Sequence, residues 1–78
     1  MPGRNWAFLS TSTRVRAQLH NYQGQLVRTV VDGVLSSGEH RIAWDGRDNN
    51  RNTVANGVYF CRLQSRDFSS TRKTVLLR

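Results

Sequence analysis

The sequence predicts an all-β fold, an antiparallel sandwich or barrel of about six strands. In several short stretches apolar and polar residues alternate, which is the pattern of a strand with one buried face. Clusters of Gly, Asn, Asp and Ser separate these stretches at about the 8–12 residues typical of such folds. No segment has the length and 3.6-residue period of an amphipathic helix.

Six strands follow in order, the first interrupted at its end by serine and threonine. The predicted strands cover residues 5–10, 14–20, 25–31, 39–44, 58–65 and 71–77. Asp32 and Gly33 are expected to end the third strand, since both residues favour turns. Val75, Leu76 and Leu77 are apolar consecutively, which predicts that both faces of the last strand are covered. We interpret residues 1–13 as an N-terminal extension or weak edge strand and residues 14–78 as the domain.

The composition excludes several kinds of site. Cys61 is the single cysteine of the 78 residues, so an internal disulfide is impossible. With two histidines it falls short of a structural zinc set, and we interpret it as a small apolar residue on a strand face. No phosphate-cradling glycine loop or activated serine is present. His20 and His40 lie on alternating strands, one facing outward and one on the face of Trp44. The sequence therefore predicts a protein without catalytic residues, metal or cofactor.

The net charge of +7 is compatible with an anionic partner such as nucleic acid or lipopolysaccharide. The arginines, however, are spaced singly along the chain. The outward faces of two strands carry short polar stripes: Arg14, Arg16, Gln18 and His20 on one, Arg62 and Gln64 on another. Because no aromatic signature of an RNA-binding sheet accompanies them, we favour a solvated arginine-rich surface over nucleic-acid binding.

The polar turn at residues 45–52 resembles the start of a calcium loop. Asp48, Asn50 and Asn52 match its first three ligand positions, but Thr53 replaces the required Gly and Tyr59 the bidentate Glu. Asp and Asn side chains also bond to nearby backbone amides and stabilise turns. We favour this second interpretation, a turn between strands.

The run Gly57-x-Tyr59-x-Cys61 is also found in antibody-type domains. No earlier cysteine exists to pair with Cys61, and Trp44 is too close to it for the antibody pattern. We expect Tyr59 to bury its ring and to use its hydroxyl in a hydrogen bond at a strand corner.

These blocks together resemble the FlgD-type immunoglobulin-like domain, which overlaps the type A sorting domain of the type IX secretion system. The matching positions are Asn21, Gly24, Leu26, Val27, Arg28, Gly38, His40, Trp44, Asp45, Gly46, Gly57, Val58, Tyr59, Leu63, Lys73, Leu77 and Arg78. The resemblance implies an immunoglobulin-like sandwich whose structural signature is Gly24, Trp44, Asp45, Gly46, Gly57 and Tyr59.

The chain departs from the family pattern at a few positions. His20 replaces the usual Tyr, and Leu77 lies one position off its usual spacing from Lys73. Arg51 replaces a turn Gly, so it is expected to adopt a left-handed conformation at a cost of about 1 kcal/mol. The family's first strand is absent or replaced by residues 5–10, and its absence would leave the sandwich without an edge strand.

The resemblance further implies a C-terminal module of a secreted or cell-surface bacterial protein, acting in secretion and surface attachment. Lys73, Leu77 and Arg78 are then the candidate residues recognised by the secretion machinery. The alternative is a structural interaction module of the hook-cap or adhesin-stalk kind, whose partners are neighbouring protein domains. No small-molecule substrate or membrane span is expected. The only early apolar run, residues 6–9, is too short for a signal peptide, so an export signal is expected elsewhere.

Overall fold

A computed structural model describes the backbone of residues 4–78 and the side chains from residue 7 onward. All of its regular elements are strands, which confirms the all-β prediction. The strands are β1 Arg4–Leu9, β2 Thr13–Asn21, β3 Leu26–Leu35, β4 Gly38–Ala43, β5 Gly57–Ser65 and β6 Ser69–Leu76. Among these residues there is no helix of the length and apolarity that a membrane crossing requires.

The strands form two antiparallel sheets that pack as a sandwich. One sheet has two strands in the order β1-β4, and the other has four in the order β3-β2-β5-β6. The first strand, expected to be weak or missing, pairs with β4 along its whole length from Arg4 to Leu9. Ala7 and Leu9 of β1 are buried in the core, so this strand is part of the sandwich. The division of the chain at residue 14 stays a prediction.

The core has two adjoining parts between the sheets. The first contains Ala7, Leu9, Val15, Ala17, Ile42 and Leu63. The second contains Leu19, Trp44, Tyr59, Cys61 and Leu76. The alternation read from β2, β4 and β5 is confirmed, because their inward residues are the buried ones. Cys61 is 1% exposed and lies among apolar side chains, as its strand position predicted.

Two predictions about strand boundaries and faces were wrong. Asp32 and Gly33 do not end β3, because they continue the pairing with Arg16 and Val15 of β2. The last strand is not covered on both faces: Val75 is 48% and Leu77 63% exposed, while Leu76 is fully buried. The physical reason is that the two-stranded sheet covers only one side of the larger sheet. The other side, called here the outer face, lies open.

Candidate interaction surface

Five of the six signature residues lie in the connection between β4 and β5, residues 44–56, or at the start of β5. The sixth, Gly24, lies in the turn between β2 and β3, where it has a φ of 84° and its N–H donates to the carbonyl of Asn21 at 2.9 Å. Trp44 is 3% and Tyr59 7% exposed, and their rings meet edge to face with centroids 5.0 Å apart. The Trp44 Nε1–H donates to the carbonyl of Arg47 at 2.9 Å. The Tyr59 hydroxyl donates to the carbonyl of Ala55 at 2.6 Å, which is the corner bond expected from the sequence. Both side chains therefore hold the connection from inside the molecule.

The polar turn is held by its own carboxylates. Asp48 Oδ1 accepts from the backbone N–H groups of Asn50 at 2.8 Å and Asn52 at 3.0 Å. Asp45 Oδ1 accepts from the N–H of Arg47 at 3.1 Å. These are the bonds to backbone amides that the turn interpretation expects. Among the described side chains, from residue 7 onward, no group of three or more His, Cys, Asp or Glu is placed to hold a metal ion.

Two positions in the connection have a left-handed backbone. Arg51 has a φ of 68°, which is the conformation expected where the family has glycine. Gly46 has a φ of 76°, and a Cβ added to it would lie 2.6 Å from Arg78 Nη2 and 3.1 Å from Leu76 Cδ1. Gly46 is therefore required both by its backbone conformation and by the close approach of β6.

Arg78 ties the end of the chain to this connection. Its Nη1 donates to the carbonyl of Val54 at 2.6 Å and its Nη2 to the carbonyl of Gly46 at 2.6 Å. Arg28 reaches the same connection from β3, where its Nη1 lies 3.2 Å from Asp45 Oδ1. Sequence reasoning missed both roles, because no local pattern shows which distant carbonyls an arginine will reach.

The structure does not bring the three candidate recognition residues together. Lys73 is exposed on the outer face, where it pairs across the strands with Phe60 of β5. The Leu77 side chain is 63% exposed beyond the end of β6. Arg78 instead has its guanidinium engaged by the two carbonyls of the connection.

The two polar stripes predicted from the sequence merge into one surface on the outer face. Arg16 pairs with Gln64, Gln18 with Arg62, and His20 with Phe60 across β2 and β5. The stripes come from strands that are distant in the chain, so a single sequence does not reveal their register. His40 lies apart from them on the other sheet, where its Nε2 is 2.7 Å from the carbonyl oxygen of Ser36.

The outer face is predominantly cationic. Its described outward positions carry Arg14, Arg16, Arg62 and Lys73 against one carboxylate, that of Asp32. Asp32 Oδ1 lies 2.9 Å from Arg14 Nη2 and 3.8 Å from Arg16 Nε, so it offsets the charge only at the β3 side. These ion pairs are exposed and contribute little to stability. Arg62 and Lys73, over β5 and β6, make no ion pair among the described residues.

An aromatic residue stands at one end of the outer face, between two grooves. Tyr22 is 78% exposed in the turn after β2. A groove of about 430 Å³ separates it from residues 55–59, and one of about 320 Å³ separates it from Phe60 and Arg62. We call Tyr22, Val58, Phe60 and Arg62 with these grooves the Tyr22 patch. Exposed Tyr and Arg beside partly buried apolar groups are typical of protein–protein contacts.

Comparison with known proteins shows that the chain matches one domain family. The sequence pattern of the FlgD Ig-like domain matches residues 5–67. The chain is 39% identical over 46 residues to the basal-body rod modification protein FlgD of Salmonella typhimurium (strain LT2), and equally to that of Salmonella typhi. This match covers 59% of the chain, which spans only 20% of the length of those curated relatives.

A solved structure has the same fold. The crystal structure of FlgD from P. aeruginosa superposes with a TM-score of 0.74 over 97% of the chain and 60% of that protein, at 22% identity.

Proposed function

The chain belongs to the FlgD Ig-like domain family, and from this premise we propose that it is a non-catalytic protein–protein interaction module. By likeness to the basal-body rod modification proteins, it would act in an exported flagellar assembly of the hook-cap kind, in contact with neighbouring protein domains. This proposal corresponds to the alternative expected from the sequence. It has better support than a sorting role, because the matched relatives are basal-body rod modification proteins.

The observation that carries the proposal is that the signature residues Trp44 and Tyr59 maintain the fold, whereas the exposed Tyr22 patch is available for binding. Trp44 and Tyr59 are buried and bond to the connection that they hold, so they are occupied with the fold. The Tyr22 patch is open to solvent and makes no comparable contribution to the core. An exposed aromatic side chain flanked by grooves offers a partner a large contact area at low conformational cost.

A chimera tests the proposal in the assembly itself. The domain of the Salmonella typhimurium FlgD protein that contains the 46 matched residues is replaced as a whole by this chain, and hook completion and swimming are measured. We expect the chimera to complete the hook. We expect the Tyr22→Ala variant of the chimera to swim severalfold less, because the substitution removes the aromatic group between the two grooves. Phe8→Ala is the matched control, since Phe8 on β1 is 75% exposed but lies on the other sheet. Equal swimming of the two variants, with both proteins folded, would contradict the proposal.

A sorting role in type IX secretion is the second candidate, favoured by the exposure of Lys73 and Leu77 on the closing segment. A reporter fused ahead of the domain, behind a signal peptide, tests it in a host with that machinery. Periplasmic retention of the reporter would eliminate this candidate. Truncation before β6 is a poor test, since it removes Leu76 from the core and leaves β5 without a partner strand on one side.

A further inference from the structure

The two edges of the four-stranded sheet differ. Along β3, Asn49 of the connection takes the place of a neighbouring strand: its N–H donates to the carbonyl of Val27 at 3.1 Å, and its Oδ1 accepts from the N–H of Thr29 at 3.0 Å. This edge is therefore partly satisfied from within the chain. The other edge, β6, faces no further strand in the part of the chain that the structure describes. An edge of this kind presents N–H and C=O groups to a partner backbone.

The open edge of β6 carries positive charge on both sides of the sheet. Lys73 pairs with Phe60 and lies on the outer face, whereas Arg72 pairs with Cys61 and lies on the inward side. Both side chains are exposed, and neither makes an ion pair within the described residues. Arg62 adds a third cation one strand away, opposite Thr71. Any strand that pairs with β6 therefore has cations beside both of its faces.

We propose that β6 binds an extended acidic segment of a partner protein as a fifth strand of this sheet. The proposal rests on the proposed interaction function and names the chemistry of one partner. Main-chain hydrogen bonds would supply the pairing, and carboxylates beside Lys73 and Arg72 would set the preference for the partner. Val75, 48% exposed, offers the added strand an apolar neighbour on the outer face.

Charge distinguishes this occupant from the other candidates. A second copy of the chain carries the same net charge of +7 and would place Arg72 and Lys73 beside their own kind. Such like-charge contacts at an edge are a common protection against self-pairing. Nucleic acid would match the charge, but it has no peptide backbone with which to continue a β-ladder. The strand β4 is a poorer site for an acidic segment than β6. Its exposed residues Glu39 and Arg41 have opposite charges, so they give no preference for either sign of charge in a partner.

The size of the partner segment follows from the strand. β6 has eight residues, Ser69–Leu76, and spans about 26 Å at the usual rise of about 3.3 Å per residue. A partner segment of about six to eight residues covers this edge.

A titration with designed peptides tests the proposal on the full 78-residue chain. The probes are two end-blocked octapeptides that alternate Val or Thr with Glu in one and with Lys in the other. Amide shifts and amide hydrogen exchange are followed by NMR. We expect the Glu peptide to shift the β6 amides and to slow their exchange at least several-fold, and the Lys peptide to do neither. The amide of Thr29 on the capped edge stays unchanged.

Charge reversal identifies the residues responsible. We expect the double variant R72E/K73E to weaken Glu-peptide binding at least about tenfold and to gain binding of the Lys peptide. The matched control R41E/R51E makes the same change in net charge at exposed arginines, one on β4 and one in the turn that Asn49 bonds to β3, and retains the preference for Glu. Dispersed amide spectra establish that both variants are folded.

Three outcomes would overturn the proposal. One is the absence of Glu-peptide binding at millimolar concentration. Another is a set of amide shifts confined to Phe60 and Arg62, with no slowing of hydrogen exchange in β6. That result would place the peptide on the outer face of the sheet and not along the edge of β6. The third is an equal response to an eight-nucleotide oligothymidylate, which indicates unspecific anion binding. The chimera experiment on Tyr22 does not depend on this result, so the two proposals fail separately.

Discussion

Tyr59 shows how a single side chain can join the core to a surface connection. Its ring packs against Trp44 between the sheets, and its hydroxyl reaches out to the carbonyl of Ala55 at 2.6 Å. The ring supplies apolar burial, and the hydroxyl fixes the last turn of the connection before β5 begins. The run Gly57-x-Tyr59-x-Cys61 predicted both parts of this role.

Replacing Tyr59 by Phe separates the two parts. The ring remains, but the carbonyl of Ala55 loses its partner, so we expect Tyr59→Phe to lower the free energy of unfolding by about 1–2 kcal/mol. Urea denaturation measures the change as a lower midpoint at unchanged slope. Tyr22→Phe is the control, because Tyr22 is 78% exposed and its substitution should leave the midpoint unchanged. Equal midpoints for the two variants would show that the hydroxyl bond contributes nothing.

At the scale of the element, the connection of residues 44–56 is closed by a hydrogen bond of its own backbone and by the side chain of Arg78. The Val54 N–H donates to the Gly46 carbonyl at 3.1 Å, and Arg78 donates to the carbonyls of both residues. The guanidinium thus bridges the two sides of the connection where they approach each other. The left-handed Gly46 allows this approach, because a side chain there would meet Arg78 and Leu76.

A double-mutant cycle measures this arrangement. We expect Gly46→Ala to cost about 2 kcal/mol or more, from its backbone conformation and from contact with Arg78 and Leu76. Arg78→Ala is expected to cost about 1 kcal/mol, and the double variant less than the sum, because the contact with the guanidinium is gone. Gly33→Ala serves as the control, since no atom lies within 4 Å of its added Cβ. Strict additivity in urea denaturation would contradict the close approach of Arg78 to Gly46.

At the scale of the whole molecule, stability depends on a small second layer. β1 and β4 are the only described strands that cover the inward side of the four-stranded sheet. They contribute Ala7, Leu9 and Ile42 to the first part of the core. With so small a layer, each strand of it is needed to shield the interior from water.

Removing β1 is therefore expected to unfold the domain. A chain that begins at Ser10 lacks Ala7 and Leu9 and leaves β4 without its partner strand. We expect it to lose cooperative thermal unfolding and amide dispersion, whereas a chain that begins at Arg4 retains both. Circular dichroism and NMR provide the measurements. A folded chain from Ser10 would show that β1 is dispensable and would agree with the interpretation of residues 14–78 as the domain.

The sequence by itself determined the strands and the inward face of most of them, because alternation and turn residues are local properties of the chain. Trp44, Tyr59 and the turn around Asp48 could be anticipated for the same reason. The left-handed conformation of Arg51 was expected from the family resemblance, because the family has glycine at that position. The tertiary structure alone decided which strands pair and which distant side chains and backbone groups come into contact. It extended β3 through Gly33, left Val75 exposed, brought Arg78 to Gly46, capped β3 with Asn49 and left β6 open. These features depend on the register and coverage of strands distant in the chain, which no local pattern encodes.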